Sequence, residues 1–146
     1  MTRHFVTGTE LTAGELRSLL DRALALKAEP LGSRVLESRT VALLFEKPST
    51  RTRVSFQAGI FELGGLPMVL GSDDLQLARG ESVRDTALVL SRHVAAIGVR
   101  TGPDALVEEL AAHAASASAK SSARSRPAGG TARPWKRFQV STRTSA

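Results

Sequence analysis

The chain of 146 residues contains no cysteine, which excludes a disulfide framework and a metal site built from thiolates. Its three histidines, His4, His93 and His113, lack metal-ligand spacing, so we expect no metal and no cofactor. No run approaches the roughly eighteen apolar residues of a membrane span, and the N-terminus lacks the apolar core of a signal peptide. These absences predict a soluble, cytoplasmic protein with no membrane partner.

Acidic residues are missing from the last part of the chain. Residues 1–112 carry 13 Lys and Arg against 14 Asp and Glu, a net charge of −1, whereas residues 113–146 carry 7 basic residues and no acidic one, a net charge of +7. This last segment is rich in alanine, serine and arginine and has no sustained periodicity. We therefore predict one domain at 1–112 and a disordered basic tail at 113–146.

The tail also raises nucleic acid as an alternative, less favoured partner. Trp135 and Phe138 lie among Arg133, Lys136 and Arg137, and aromatic rings between cations can stack on bases while the cations bind phosphates.

Residues 1–112 alternate between two kinds of apolar pattern. A Thr-Ala-Gly-Glu capping box at 12–15 opens a leucine-rich helix that ends before Pro30, and further helical spacings occur at 54–63, 82–93 and 103–112. Short apolar runs at 41–45, 68–70 and 95–99 are typical of buried strands. The alternation predicts an α/β fold with a mostly parallel sheet flanked by helices.

The segment Phe-Glu-Lys-Pro-Ser-Thr-Arg-Thr-Arg at 45–53 is the most informative part of the sequence. It follows a strand and precedes a helix, and the first N–H groups of a helix bind anions well. Two arginines in a first helical turn oppose the helix dipole unless an anion offsets them. The segment therefore indicates a phosphate site. The alternative is an ordinary cap at Ser49 and Thr50 with solvated arginines.

Residues 45–53 resemble the carbamoyl-phosphate signature of the aspartate and ornithine carbamoyltransferases, and Lys47 resembles the ornithine branch. Two further segments agree in order and spacing. They are Gln-Leu-Ala-Arg-Gly-Glu-Ser at 76–82, with its continuation to Arg92, and Ile-Gly-Val-Arg-Thr at 97–101. The resemblance spans residues 1 to about 112 and implies transfer of a carbamoyl group from carbamoyl phosphate to ornithine, giving citrulline and phosphate in arginine metabolism.

The resemblance also implies roles for individual residues. Thr52 and Arg100 would be the catalytic pair, with Arg100 bridging the phosphate and the carbonyl oxygen. Gln76 would reach into a neighbouring subunit's site, which implies a homotrimer with shared sites. The residues implied to bind carbamoyl phosphate are Ser49, Thr50, Arg51, Thr52, Gln76 and Arg100. Arg53 would brace the loop rather than touch the ligand.

The resemblance stops near residue 112. The family continues with a His-Pro-Cys-Gln motif and an ornithine-binding domain, and neither is found in this sequence. We therefore expect a truncated or frameshifted chain that carries only the carbamoyl-phosphate half. The alternative function is a non-catalytic remnant that keeps its affinity for phosphate.

Overall fold

The computed structural model describes residues 3–75, 80–101, 104–114 and 117–120. The elements in chain order are α1 (Ala13–Ala28), β1 (Thr40–Phe45), α2 (Thr50–Glu62), β2 (Leu66–Gly71), α3 (Val83–His93), β3 (Ala96–Arg100), α4 (Asp104–His113) and β4 (Ala117–Lys120). The strands form one sheet in the order β2-β1-β3-β4, and every neighbouring pair is parallel. The α/β class and the parallel sheet predicted from the sequence are confirmed.

The central strand β1 is buried on both faces, and its side chains alternate between two cores. Ala42 and Leu44 pack with Ile97 of β3 and with the helices α3 and α4 on one face. Val41, Leu43 and Phe45 pack on the other face, where α2 contributes the buried Ile60. A continuous apolar run is the pattern expected of a parallel strand covered on both sides.

Helix α2 ends in a Schellman motif, which fixes its length. Gly64 follows the C-cap residue Leu63 and has a φ of +83°, a conformation that favours glycine. Its N–H donates to the carbonyl oxygen of Phe61, and the N–H of Gly65 donates to that of Ile60. The helix also begins earlier than its periodicity predicted, at Thr50 instead of residue 54, so the last four residues of the 45–53 segment form its first turn.

Helix α1 has the predicted capping box, in which the Thr12 hydroxyl accepts from the Glu15 N–H and the Glu15 carboxylate accepts from the Thr12 N–H. Its apolar face, however, does not pack into a core. No residue of α1 is buried, although the helix is amphipathic over 16 residues. This leaves a row of leucines in contact with solvent.

Regular structure continues past residue 112, where the sequence predicted the end of the domain. Ala114 is buried in the core beneath α4, and residues 117–120 form β4, which pairs with β3 from Ala96–Ala117 to Val99–Lys120. The sequence concealed this strand because alanine and serine have little β propensity and the segment looks continuous with the basic tail. The remaining tail, residues 121–146, lies outside the described residues.

Candidate functional site

The sheet reverses its order of strands at β1. The chain passes from β1 to β2 on one side of β1 and later adds β3 on the other side. The helix after β1, α2, packs on one face of the sheet, and the helix after β3, α4, packs on the opposite face. Such a reversal leaves a crevice at the carboxyl ends of the two central strands, which is where open α/β sheets bind ligands. Here the crevice lies between the residues after Phe45 and those around Arg100, which pair in the sheet.

Two of the residues selected from the sequence meet in this crevice. Nη1 of Arg100 donates a hydrogen bond of 2.7 Å to Oγ1 of Thr52, although 48 residues separate them. Both side chains are half-buried, and the Arg100 guanidinium group forms no ion pair among the described residues. Its positive charge is therefore not offset by a carboxylate there, and several of its five N–H groups remain available to another acceptor.

A second contact, not foreseen from the sequence, ties the same two loops together. The Thr101 hydroxyl donates to Oε2 of Glu46, and the Glu46 N–H donates to the carbonyl oxygen of Arg100 at 3.1 Å. These bonds extend the pairing of β1 and β3 beyond the last strand residues. They hold Glu46, near the start of the motif, against the end of β3 that presents Arg100. The sequence offered only one indication of this contact: Glu46 lies inside the motif, and Thr101 directly follows Arg100.

The N-terminus of α2 differs from that of α3 in a way that favours an anion. Ser82 caps α3 conventionally, since its Oγ accepts from the Asp85 N–H at 3.0 Å. Ser49 is the N-cap residue of α2, but its side chain makes no capping hydrogen bond, and the first turn of α2 contains no acidic residue. The reading of Ser49 as an ordinary cap therefore does not describe its side chain.

The other hydroxyl and guanidinium groups of the motif lie at the surface. Thr50, Arg51 and Arg53 are exposed, and the side chains of both arginines have no hydrogen-bond or ion-pair partner in the described part of the chain. Positive charge thus accumulates at the helix end that already carries the positive pole of the dipole. The predicted bracing role of Arg53 has no contact that supports it here.

Gln76 belongs to residues 76–79, which lie outside the described residues, so its predicted place in a neighbouring site stays a prediction. Within the described ranges, no three His, Asp or Glu side chains gather in a way that could hold a metal ion. None of the helices described there is long and apolar enough to cross a membrane.

Perturbed carboxylates lie away from this crevice, in the N-terminal segment. Hydrogen bonds from backbone N–H groups, chiefly that of Thr7, lower the pKa of Glu10 to about 2. Hydrogen bonds from Thr12 and then from Arg3 lower the pKa of Glu15 to about 2. Both shifts reflect the clamping of the segment before α1 and have no part in the candidate site.

A parallel sheet with free cationic and hydroxyl groups at its switch point places the chain in the class of α/β anion-binding domains. Comparison with known proteins identifies the family within this class. Residues 3–127 match the family model of the aspartate/ornithine carbamoyltransferase, carbamoyl-phosphate-binding domain. The chain belongs to the aspartate/ornithine carbamoyltransferase family.

Ornithine carbamoyltransferases are among the proteins most similar to the chain. The enzyme of Parafrankia sp. is 52% identical over 116 residues, which cover 77% of this chain and 37% of that protein. The ornithine carbamoyltransferase of Pyrococcus furiosus superposes with a TM-score of 0.76 at 42% identity, covering 81% of this chain and 39% of that one. The anabolic enzyme of Campylobacter jejuni gives a TM-score of 0.75 at 38% identity, over 82% and 38%. The chain thus spans about two fifths of the length of the proteins it matches.

Proposed function

We propose that this chain is the carbamoyl-phosphate-binding part of an ornithine carbamoyltransferase. The observation that carries the proposal is the hydrogen bond between Arg100 and Thr52, because it unites two distant motif residues at the switch point of a family-matched domain. In this proposal Ser49, Thr50 and the first N–H groups of α2 bind the phosphate together with Arg51. Gln76 would complete the site from a neighbouring subunit of a homotrimer.

The proposed chemistry follows from where charge develops. The side-chain amine of ornithine attacks the carbamoyl carbon, a tetrahedral oxyanion forms, and phosphate leaves to give citrulline. Arg100 and Thr52 can donate to the oxygen that gains charge, and Arg51 can neutralise the leaving phosphate. Donors fixed before the reaction are typically worth about 10²–10³ in rate each. The cytoplasm and arginine metabolism are the corresponding location and pathway.

A second candidate is a phosphate-binding protein without turnover. It would need only the anion-binding groups at the start of α2, where the Ser49 side chain makes no capping hydrogen bond and Arg51 is exposed. Nucleic-acid binding would depend on Trp135 and Phe138, which lie outside the described residues.

We expect Arg51→Ala to weaken the binding of carbamoyl phosphate and of inorganic phosphate by about 1.5–3 kcal/mol, the usual worth of a hydrogen bond to a charged group. Arg51→Lys is expected to restore little, since an ammonium group cannot bind two oxygens in one plane. Isothermal titration calorimetry on the complete chain measures both.

Arg84→Ala is the matched control. Arg84 occupies the same position in the first turn of α3 that Arg51 occupies in α2, and it is likewise exposed. Its replacement is expected to leave the affinity unchanged. Equal affinities for wild type and Arg51→Ala would remove this arginine from the site, and equal losses in both variants would reduce binding to general electrostatic attraction.

A further inference from the structure

The guanidinium group of Arg100 serves the candidate site best if its direction is fixed at both ends of the side chain. The far end is held by the hydrogen bond of 2.7 Å from Nη1 to Oγ1 of Thr52. The backbone end lies where the register of β1 with β3 stops, at the pair Phe45–Arg100. Because an arginine side chain has many rotamers, a backbone that moved at this point would spread the guanidinium group over many positions.

Glu46 restrains that backbone at two points around one peptide group. Its N–H donates to the carbonyl oxygen of Arg100 at 3.1 Å, and its Oε2 accepts from the Thr101 hydroxyl. The carbonyl belongs to the planar peptide group that joins residues 100 and 101, and the hydroxyl belongs to the residue that follows it. The two bonds therefore fix the direction in which the Arg100 side chain leaves the backbone.

The hydrogen bond between Thr101 and Glu46 adds little to the stability of the fold. Glu46 is exposed and Thr101 is half-buried, so water can replace the bond when it breaks. A carboxylate at the edge of the sheet where an anion binds also repels that anion. What the bond contributes is therefore orientation of the neighbouring arginine.

We propose that Glu46 and Thr101 are positioning residues for carbamoyl phosphate, which act by holding Arg100 in the direction that the ligand requires. The inference rests on the proposed function, in which Arg100 is a ligand-binding donor of the site. Donors that are fixed before the ligand arrives bind it more tightly, because less side-chain freedom is lost on binding. Thr101 thus acts on the ligand through Arg100 and makes no contact with it.

The test is the affinity of the complete chain for carbamoyl phosphate, measured by isothermal titration calorimetry. Thr101→Val removes the hydroxyl at nearly constant shape and is expected to weaken binding about threefold to tenfold, the usual effect of one net hydrogen bond. Thr101→Ser restores the hydroxyl and is expected to restore the affinity. Glu46→Ala is also expected to weaken binding, although removal of a negative charge by itself would strengthen it.

A background of Arg100→Ala shows whether Thr101 acts through that arginine. Arg100→Ala is expected to weaken binding more than Thr101→Val does, and adding Thr101→Val to it is expected to change the affinity by less than about twofold. Thr7→Val is the matched control, because the Thr7 hydroxyl donates to Glu10 in the N-terminal segment, away from the crevice. Its affinity is expected to stay within about twofold of the wild type.

Thermal unfolding of each variant separates binding from folding, and Thr101→Val is expected to unfold at the temperature of the wild type. The proposal is overturned by a lowered unfolding temperature or wild-type affinity in Thr101→Val, by a loss that Thr101→Ser does not restore, or by wild-type affinity in Glu46→Ala. An equal loss in Thr7→Val overturns it as well.

A full further loss when Thr101→Val is added to Arg100→Ala also overturns the proposal, because the hydroxyl would then contact the ligand itself. Unchanged affinity in Arg100→Ala would contradict the proposed function together with this inference. A loss in Arg100→Ala beside an unaffected Thr101→Val would overturn the positioning role alone and leave the proposed function standing.

Discussion

At the residue scale, the sequence identified the members of the candidate site but not how they are held. The pairing of Thr52 with Arg100 could be foreseen because strand ends and helix starts of a parallel sheet share one edge. The Glu46 and Thr101 contact could not, since a hydrogen bond between two surface loops has no periodic signature. Likewise, no pattern tells whether the Ser49 hydroxyl caps its helix or stays available for a ligand.

The Glu10 carboxylate gives a residue-scale prediction about pH. It accepts hydrogen bonds from the N–H groups of Val6, Thr7 and Gly8, and its pKa is lowered from 4.5 to about 2. A depressed pKa stabilises the folded segment at pH values above about 4.5, and this contribution is lost as the pH falls towards 2. Amide NMR resonances of Thr7 and Gly8 are expected to titrate with a midpoint near 2.

Two variants check the assignment. Glu10→Gln is expected to remove this titration and to loosen the segment at neutral pH. Glu108→Gln is the control, because it removes the same charge from an exposed position of α4 whose carboxylate accepts no hydrogen bond in the described ranges. In this variant the amide resonances of Thr7 and Gly8 should titrate as they do in the wild type. A midpoint near 4.5 in the wild type would show that the clamp does not form in solution.

At the scale of elements, hydrophobic pattern and capping chemistry predicted each helix of the described residues and the first three strands, with errors of a few residues at their ends. The misplaced start of α2 arose because its polar first turn carries no apolar periodicity. Strand β4 was not predicted for a different reason. Its position is set by pairing with β3, and an edge strand of alanine and serine has no apolar run that a sequence pattern could reveal.

Truncation tests the revised boundary. A chain ending at residue 120 is expected to unfold cooperatively and as stably as the complete chain. A chain ending at 116 loses β4 and exposes the edge of β3, so we expect it to lose about 2 kcal/mol or more, since each hydrogen bond contributes roughly 0.5–1.5 kcal/mol. Urea denaturation measures both. Equal stabilities would mean that β4 adds nothing, and a loss already at 120 would show that later residues pack on the domain.

At the scale of the whole molecule, the described residues form a parallel sheet with flanking helices that match the family's carbamoyl-phosphate-binding domain, whereas the matched enzymes are more than twice as long. Sequence patterning could predict the domain because its strands and helices alternate regularly. It could not predict that α1 would remain uncovered, since an apolar helix face looks the same whether its partner lies in the same chain or elsewhere.

We expect the chain alone to bind phosphate but to form no measurable citrulline from ornithine and carbamoyl phosphate. An amine that is not held in place forfeits an orientation advantage of roughly 7–11 kcal/mol, and each absent oxyanion donor lowers the rate by about 10²–10³. A colorimetric citrulline assay at saturating substrates is the measurement, with Arg51→Ala as the control for contaminating enzyme. Turnover that vanishes in this variant would contradict the expectation.

Because Arg100 and Thr52 are hydrogen-bonded to each other, a ligand that both residues bind depends on the folding of the sheet. Thr52 lies in the first turn of α2, soon after β1, and Arg100 ends β3, 48 positions later in the chain, so an anion held by both can bind only after β3 has aligned beside β1. Ligand affinity and sheet assembly are then thermodynamically linked: at 100 times its dissociation constant, a ligand raises the free energy of unfolding by about 2.7 kcal/mol. Phosphate in the medium would thus stabilise the pairing of β1 with β3, and not only the loop that carries the motif.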